Sequence, residues 1–342
     1  KPDISLPADV VEEIVRIDGL DNIDIPTAIT MTPAVDQSRF TETLKEKVST
    51  YLVGVGFNEI LTNSITNEVY FDETEMAGAV KMLNNLSADM NVMRPSMLET
   101  GLEAVAYNLN RKNNDLLLFD FGKTYAHTAP GKYSEPEHLC FYVTGAVATA
   151  SWRGAGRHAD VYWVKGLAEA VLKLCGIGDY SFEILQQKKL AGALHVKVNG
   201  TVVVQLGEVD GHTLNRFDIR QPVFFADFGW TELIKLTAAQ RLAITGVPRF
   251  PAVNRDLAIV VDAATTYQQA EQAVKQLRID QLKKINLFDV FESEKLGKGR
   301  KSLAISFVFQ DNEKTLTDRE IDGMMNQIMK ALELQTAAEI RK

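Results

Sequence analysis

Cysteine is nearly absent: Cys140 and Cys175 are the only two among 342 residues. Two thiols cannot build a disulfide framework or a four-ligand zinc site. Both are therefore expected as small buried hydrophobes in a reducing, cytoplasmic setting. No run of eighteen apolar residues occurs, which excludes a membrane-spanning helix. Histidine is sparse. His127, His138, His158, His195 and His212 make no i,i+4 pair and have no neighbouring acid motif, so they read as scattered core or surface residues. Gly154–Arg157 lacks the Lys-Ser/Thr ending and the preceding strand of a phosphate loop. Ser96 and Ser151 have no His/Asp arrangement of an activated nucleophile, and Trp152, Trp163 and Trp230 read as core or rim packing. Positive charge is not in excess either: the net charge of −8 argues against a protein that coats nucleic acid.

What is present is a chain 46% hydrophobic and long enough for two or three domains. It begins Lys1-Pro2-Asp3 rather than with Met, so a piece of a longer protein is expected. The last stretch, 247–342, reads strand, helix, strand, strand, helix, strand. A β-type run follows Arg255-Asp256, and Tyr267, Ala270, Val274 and Leu277 share a helical face. Ile285, Leu287 and Phe291 alternate, as do Leu303, Ile305, Phe307 and Phe309. Thr317 and Glu320 form a capping box for a helix with Ile321, Met324, Met325, Ile328 and Leu332 inside. That order is a split βαβ, or ferredoxin-like, sandwich. Earlier, a helix is expected over 38–55 with Phe40, Leu44, Val48, Tyr51, Leu52 and Val55 in one stripe, then a strand from Phe57 to Ile65. A second helix should begin at Pro95, with Met97, Leu98, Leu102, Val105 and Leu109 buried. Strands are expected at 116–125, 139–147, 194–198 and 201–209, and a helix at 166–175.

Two charge clusters have possible chemistry. Asp9 reads as the N-cap of a helix Val10–Ile17, with Glu12 and Glu13 in its first turn; capping and the helix dipole account for these three, but not for Asp3. Hard cations take such carboxylate oxygens. Residues 249–342 hold fifteen Lys/Arg against fourteen Asp/Glu, net +1, which leaves −9 on the remainder. Lys295, Lys298, Arg300 and Lys301 crowd a hairpin loop, and Lys283-Lys284 precedes the strand leading into it; a solvated turn that blunts strand edges also explains them.

Four phrases in the tail occur in one order: Arg249–Ala258, Leu287–Phe291, Lys301–Ala304 and Thr315–Glu320. Together they closely resemble the ferredoxin-like anticodon-binding module that ends the bacterial phenylalanyl-tRNA synthetase β subunit. Arg94-Pro95-Ser96, Ala106–Arg111 and Leu116–Tyr125 resemble the same family, and residues 38–65 resemble the first motif of class II synthetases. The resemblance implies an α+β chain in three parts. Residues 1–26 would end a winged DNA-binding-like domain, 27–246 a class II synthetase-like antiparallel sheet core, and 247–342 the ferredoxin-like domain. It also implies Mg²⁺ held by Asp3, Asp9, Glu12 and Glu13 at the boundary with a catalytic α subunit, in an α2β2 assembly that charges tRNA with phenylalanine using ATP. The basic residues Lys283, Lys284, Lys295, Lys298, Arg300 and Lys301 would contact tRNA; no DNA partner is implied. Active class II cores carry arginines against the ATP phosphates, because a planar guanidinium holds two oxygens at once. Here the matching places read Phe119-Asp120-Phe121-Gly122 and Val223–Ile234, each with an acid and no arginine. A carboxylate would repel a triphosphate, so the chain is expected to be non-catalytic and to bind no ATP itself. The family's His-Pro-Gly phrase is reduced here to His195. The alternative is a free-standing class II paralogue serving as a small-molecule sensor or an interaction scaffold.

Overall fold

The structure is a computed structural model and describes residues 4–31, 38–85, 87–129, 131–240, 246–293 and 296–341. Two compact units divide the chain at 242/243. The first contains α1 (Pro7–Asp18), α2 (Ser38–Val55), β1 (Asn58–Glu59), β2 (Ile65–Thr66), α3 (Glu73–Met76), β3 (Val92–Met93), α4 (Leu98–Leu109), β4 (Leu116–Lys123), β5 (Ala126–Ala129), β6 (Lys132–Ser134), β7 (Glu137–Thr144), β8 (Ala146–Ala148) and β9 (Arg157–His158). It continues with α5 (Val161–Leu174), β10 (Ser181–Ile184), β11 (Leu190–Val198), β12 (Thr201–Val209), α6 (Gly211–Arg216), β13 (Val223–Gly229) and α7 (Trp230–Ala238). The second contains β14 (Val253–Asp262), α8 (Tyr267–Lys275), β15 (Leu282–Glu292), β16 (Arg300–Phe309), α9 (Asp318–Thr336) and β17 (Glu339–Arg341).

The first unit is built on a seven-stranded sheet ordered β1-β4-β7-β13-β12-β11-β10, antiparallel except for the β1–β4 pair. Successive side chains leave a strand on opposite faces, so each strand feeds two cores. Phe119, Phe141, Phe224 and Phe228 face one way and pack with α2, α5 and α7. Leu118, Tyr142 and Phe225 face the other and pack with α4. On α2, Leu44, Val48 and Leu52 are buried, contributing roughly 5–9 kcal/mol before entropy is subtracted. Phe40 and Val55, at the ends of the expected stripe, are exposed. The hairpin joining β11 to β12 turns on Asn199-Gly200, both with positive φ (50° and 81°), the conformation that lets a two-residue loop follow the strand twist.

Several boundaries differ from expectation for physical reasons. The strand expected over 57–65 is only β1 and β2, because the Thr62 and Asn63 carbonyls turn to the Arg94 guanidinium instead of a neighbouring strand. Pro95 lies before α4 rather than in it, and the N-cap is Met97. The helix expected from Gly166 starts at Val161, where the Asp160 carboxylate accepts from the Trp163 N–H at 2.6 Å. The strand expected through Val147 stops at Thr144, since Gly145 takes φ +78°. Trp152 is 92% exposed, Trp163 stacks on Phe57, and Trp230 is buried. Both cysteines are buried and free.

In the second unit the order strand, helix, strand, strand, helix, strand is as expected. The sheet is β15-β16-β14-β17, all antiparallel, with α8 and α9 on one face. Thr317 and Glu320 make the capping box of α9. One pattern fails: a bulge at Phe288, between Leu287 and Asp289, turns Phe291 away from the core, so it sits opposite Ser302 and is exposed.

Candidate functional site

Cross-strand pairing brings together residues from a wide span of the chain. Asp120 on β4 lies opposite Cys140 on β7, and Cys140 opposite Asp227 on β13; the row continues through Gln205 on β12 and His195 on β11 to Glu183 on β10. Paired residues share a face, so this is one polar row beside the α4 core. The Asp227 carboxylate is 2.7 Å from His138 Nδ1 and 3.6 Å from Cys140 Sγ, while His138 Nε2 is 2.9 Å from Thr124 Oγ1. With Nδ1–H donated to Asp227, Nε2 accepts from the threonine hydroxyl. That is a base next to a hydroxyl, but Thr124 is 8% exposed and leaves no room for a substrate. Burial, then Asp227 and Asp120, push the Cys140 thiol well above its ordinary value, which makes it no nucleophile. Farther along, His195 Nε2 lies 2.7 Å from Gln187 Oε1, and the Gln187 amide donates to Gln205.

The end of the row is occupied by a buried charge cluster. Arg94 and Asp120 have side chains 3% and 1% exposed and stand 3.9 Å apart. Arg94 Nε donates to the Lys123 carbonyl at 2.8 Å and Nη1 to Thr62 Oγ1 at 2.5 Å; Thr62 in turn donates to Asp120 Oδ2. Burial raises the Asp120 carboxyl above its usual range, against the pull of the Thr62 hydrogen bond and Arg94. A Cβ on Gly122 would stand 2.2 Å from Arg94 Nη2 and 2.5 Å from Met97 Cε, so the glycine leaves the space that these side chains fill. The row thus carries three carboxylates, of which Glu183 is paired with Lys197 at 2.6 Å, and the guanidinium beside it is turned inward.

The acidic N-terminal set is arranged differently from expectation. Helix α1 starts at Pro7, not Val10: proline's fixed φ suits the first helical position, and the N-cap is Leu6. Asp9 is therefore the third helical residue, and its Oδ2 accepts the Ser5 and Leu6 N–H groups at 2.8 and 2.7 Å, which lowers its pKa. Glu13 pairs with Arg16, and Glu12 is exposed. Among the described residues no group of three or more possible ligands gathers around a metal position. Asp3 lies outside the described residues.

The six basic residues fall into two groups at opposite ends of β15. At its far end Arg300 pairs with Glu339 at 2.8 Å, Lys301 donates to the Ala263 carbonyl at 2.7 Å, and Lys298 is exposed; Lys295 lies outside the described residues. At its near end, Lys283 and Lys284 border a cavity of about 360 Å³ between α8 and β15, together with Lys275 and Arg278. Lys275 pairs with Glu271 at 3.1 Å, and Lys283 donates to the Asp280 carbonyl at 2.7 Å.

Residues 25–230 match the family model described as phenylalanyl tRNA synthetase beta chain CLM domain, and residues 248–341 match the ferredoxin-fold anticodon binding domain. The chain belongs to the phenylalanyl-tRNA synthetase β-chain family. Similar curated proteins include the phenylalanine–tRNA ligase β subunits of Bacteroides fragilis, 37% identical over 99% of this chain, and of Porphyromonas gingivalis, 34% identical over 100%. The chain spans 43% and 44% of those relatives, less than half their length. Among solved structures, pyrrolysyl-tRNA synthetase from Desulfitobacterium hafniense aligns at 16% identity with a TM-score of 0.46, covering 68% of this chain and 76% of that one.

Sequence reading missed the polar row and the Lys275/Arg278 side of the basic cavity. The row takes at most one residue from each strand, so no local spacing announces it. For the cavity the signal was present: Lys275, Arg278, Lys283 and Lys284 recur within ten residues of a helix-to-strand junction.

Proposed function

We propose that the chain is a non-catalytic portion of a phenylalanine–tRNA ligase β subunit, in which the first unit braces a catalytic α subunit and the tail positions tRNA. The observation that carries this reading is the match of both domains, in order, to one family, with relatives aligned along 99% of the chain. The charge on the sheet face supports the non-catalytic part. Activation of an amino acid with ATP builds negative charge on a phosphate, and Asp120 and Asp227 would oppose it while Arg94 is committed to Lys123, Thr62 and Asp120. ATP would then be bound by α, and this chain would supply surface. The order of the domains speaks against the free-standing sensor.

The experiment is tRNA charging by α with full-length β, compared with a β lacking residues 247–342. Charging should be lost or should need much more tRNA, and tRNA affinity should fall steeply with salt, since phosphate contacts release counterions. Equal charging without the tail, or an affinity indifferent to salt, would reject the tail's role. The assignment of Asp3, Asp9, Glu12 and Glu13 to Mg²⁺ remains part of the proposal for the assembly, where Arg16 would have to release Glu13. Asp9→Asn and Glu12→Ala should lower the Mg²⁺ that co-purifies with the α–β assembly; unchanged metal content and assembly in both variants would remove that assignment.

A further inference from the structure

We infer that the cavity between the end of α8 and the start of β15 is a seat for one nucleotide unit of an RNA strand, its phosphate on the rim and its ribose or base on the floor. The inference rests on the reading of the tail as a tRNA guide and names the site. The rim carries Lys275, Arg278, Lys283 and Lys284 against one acid, Glu271, a net +3 among the lining residues. The C-terminal end of α8 adds roughly half a negative charge, too little to reverse that sign.

The cations are unequally available. Lys275 is held by Glu271, and Lys283 gives one of its three N–H donors to the Asp280 carbonyl. Arg278 and Lys284 are exposed and have no carboxylate partner among the described residues. Arg278 also sits in the left-handed region, φ +50°, just past the helix end, a position where glycine or asparagine is the low-cost choice. The floor is apolar: Val274 is buried, and Ile279, Leu282 and Ile285 are half-buried. A bare anion needs no apolar floor. A nucleotide presents both an anionic end and a flat, weakly polar body, and about 360 Å³ is at the small end of ligand cavities. Apart from the charged groups the lining offers no side-chain amide or hydroxyl to read a base edge, so the seat would be indifferent to sequence. It differs from the hairpin at the other end of β15, where Arg300 is paired and Lys301 is bound to a backbone carbonyl.

The test measures tRNA affinity of full-length β assembled with α, by fluorescence anisotropy at several salt concentrations. Arg278→Glu with Lys284→Glu should weaken binding at least about ten-fold and lower the salt slope by about one, for the one phosphate left without its cations. The charge-matched pair Lys330→Glu with Lys314→Glu should change it much less. In the unaltered assembly, bound tRNA should protect Lys284 from acylation, a readout independent of whether the variant folds. Equal weakening by both pairs, or no protection of Lys284, would overturn the seat while tail-dependent binding survives. If deleting the tail leaves tRNA affinity unchanged, the underlying reading falls with it. Inorganic phosphate that protects Lys284 as fully as tRNA does would mark a free-anion site and reject the RNA assignment.

Discussion

At the scale of single residues, close packing and buried charge decide what can be changed. Gly101 on α4 faces the Tyr142 ring, and a Cβ there would stand 2.0 Å from two ring carbons. Helix propensity favours alanine by about 1 kcal/mol, but the clash with a fully buried ring costs about 1–3 kcal/mol or more. Gly101→Ala should therefore lower the urea midpoint, and an unchanged or higher midpoint would contradict this packing. Lys189 bridges Glu75 and Glu99 at 2.6 Å each, with the Glu99 side chain 1% exposed. Burial alone would lower the Lys189 pKa, but Glu99 and Glu75 outweigh it and hold it above its ordinary value. Lys189→Met should cost about 3 kcal/mol by stranding a buried carboxylate, and adding Glu99→Gln should recover part of that in denaturant titrations. The pKa of His195 is lowered, first by burial and then by Lys197. The folded state favours neutral imidazole, so the unfolded chain takes up the proton first. Stability is full above the ordinary value of 6.5 and is lost as pH falls through it toward the depressed folded value. His195→Gln should therefore lose less stability than the parent between about pH 7.5 and 5.5 in paired urea titrations.

At the scale of elements, turns and caps were partly legible in local sequence. The Thr317 capping box was readable because its residues are three apart. The start of α1 differs from expectation: Pro7 takes the first helical position, Leu6 becomes the N-cap, and Asp9 reaches back from the third position to the Ser5 and Leu6 amides. Asp9→Ala should leave the Ser5 and Leu6 amides without their shared acceptor and raise their hydrogen-exchange rates, while amides of β7 keep theirs. Gly200→Ala in the β11–β12 hairpin should destabilise the chain by about 1 kcal/mol, because φ +81° strains any residue with a Cβ. The bulge at Phe288 belongs to the same scale. Alternation alone put Phe291 inside, but one extra residue reversed its face, and no local pattern records an extra residue in a pairing.

At the scale of the whole molecule, each unit has its own core: Val48, Phe141 and Phe228 among others in the first, and Ile259, Phe307 and Ile328 in the second. Phe307→Ala should cost about 3–5 kcal/mol within the second core. In calorimetry it should move one of two transitions and leave the other in place; a single transition that shifts as a whole would show the units unfold together. The sequence by itself determined the element types, the order of the ferredoxin-like tail and the family phrases, because periodicity and short motifs are local properties of a chain. It also placed the acids Asp120 and Asp227 within apolar runs of strand type. Only the tertiary structure decided which of those acids meet what: Asp120 with Thr62 and Arg94, Asp227 with His138, and His195 with Gln187. It likewise divided one list of basic residues between two ends of a strand and gave one end a cavity. Strand register and helix placement set those meetings, and both are settled by how a whole core packs, not by the spacing of neighbours along the chain.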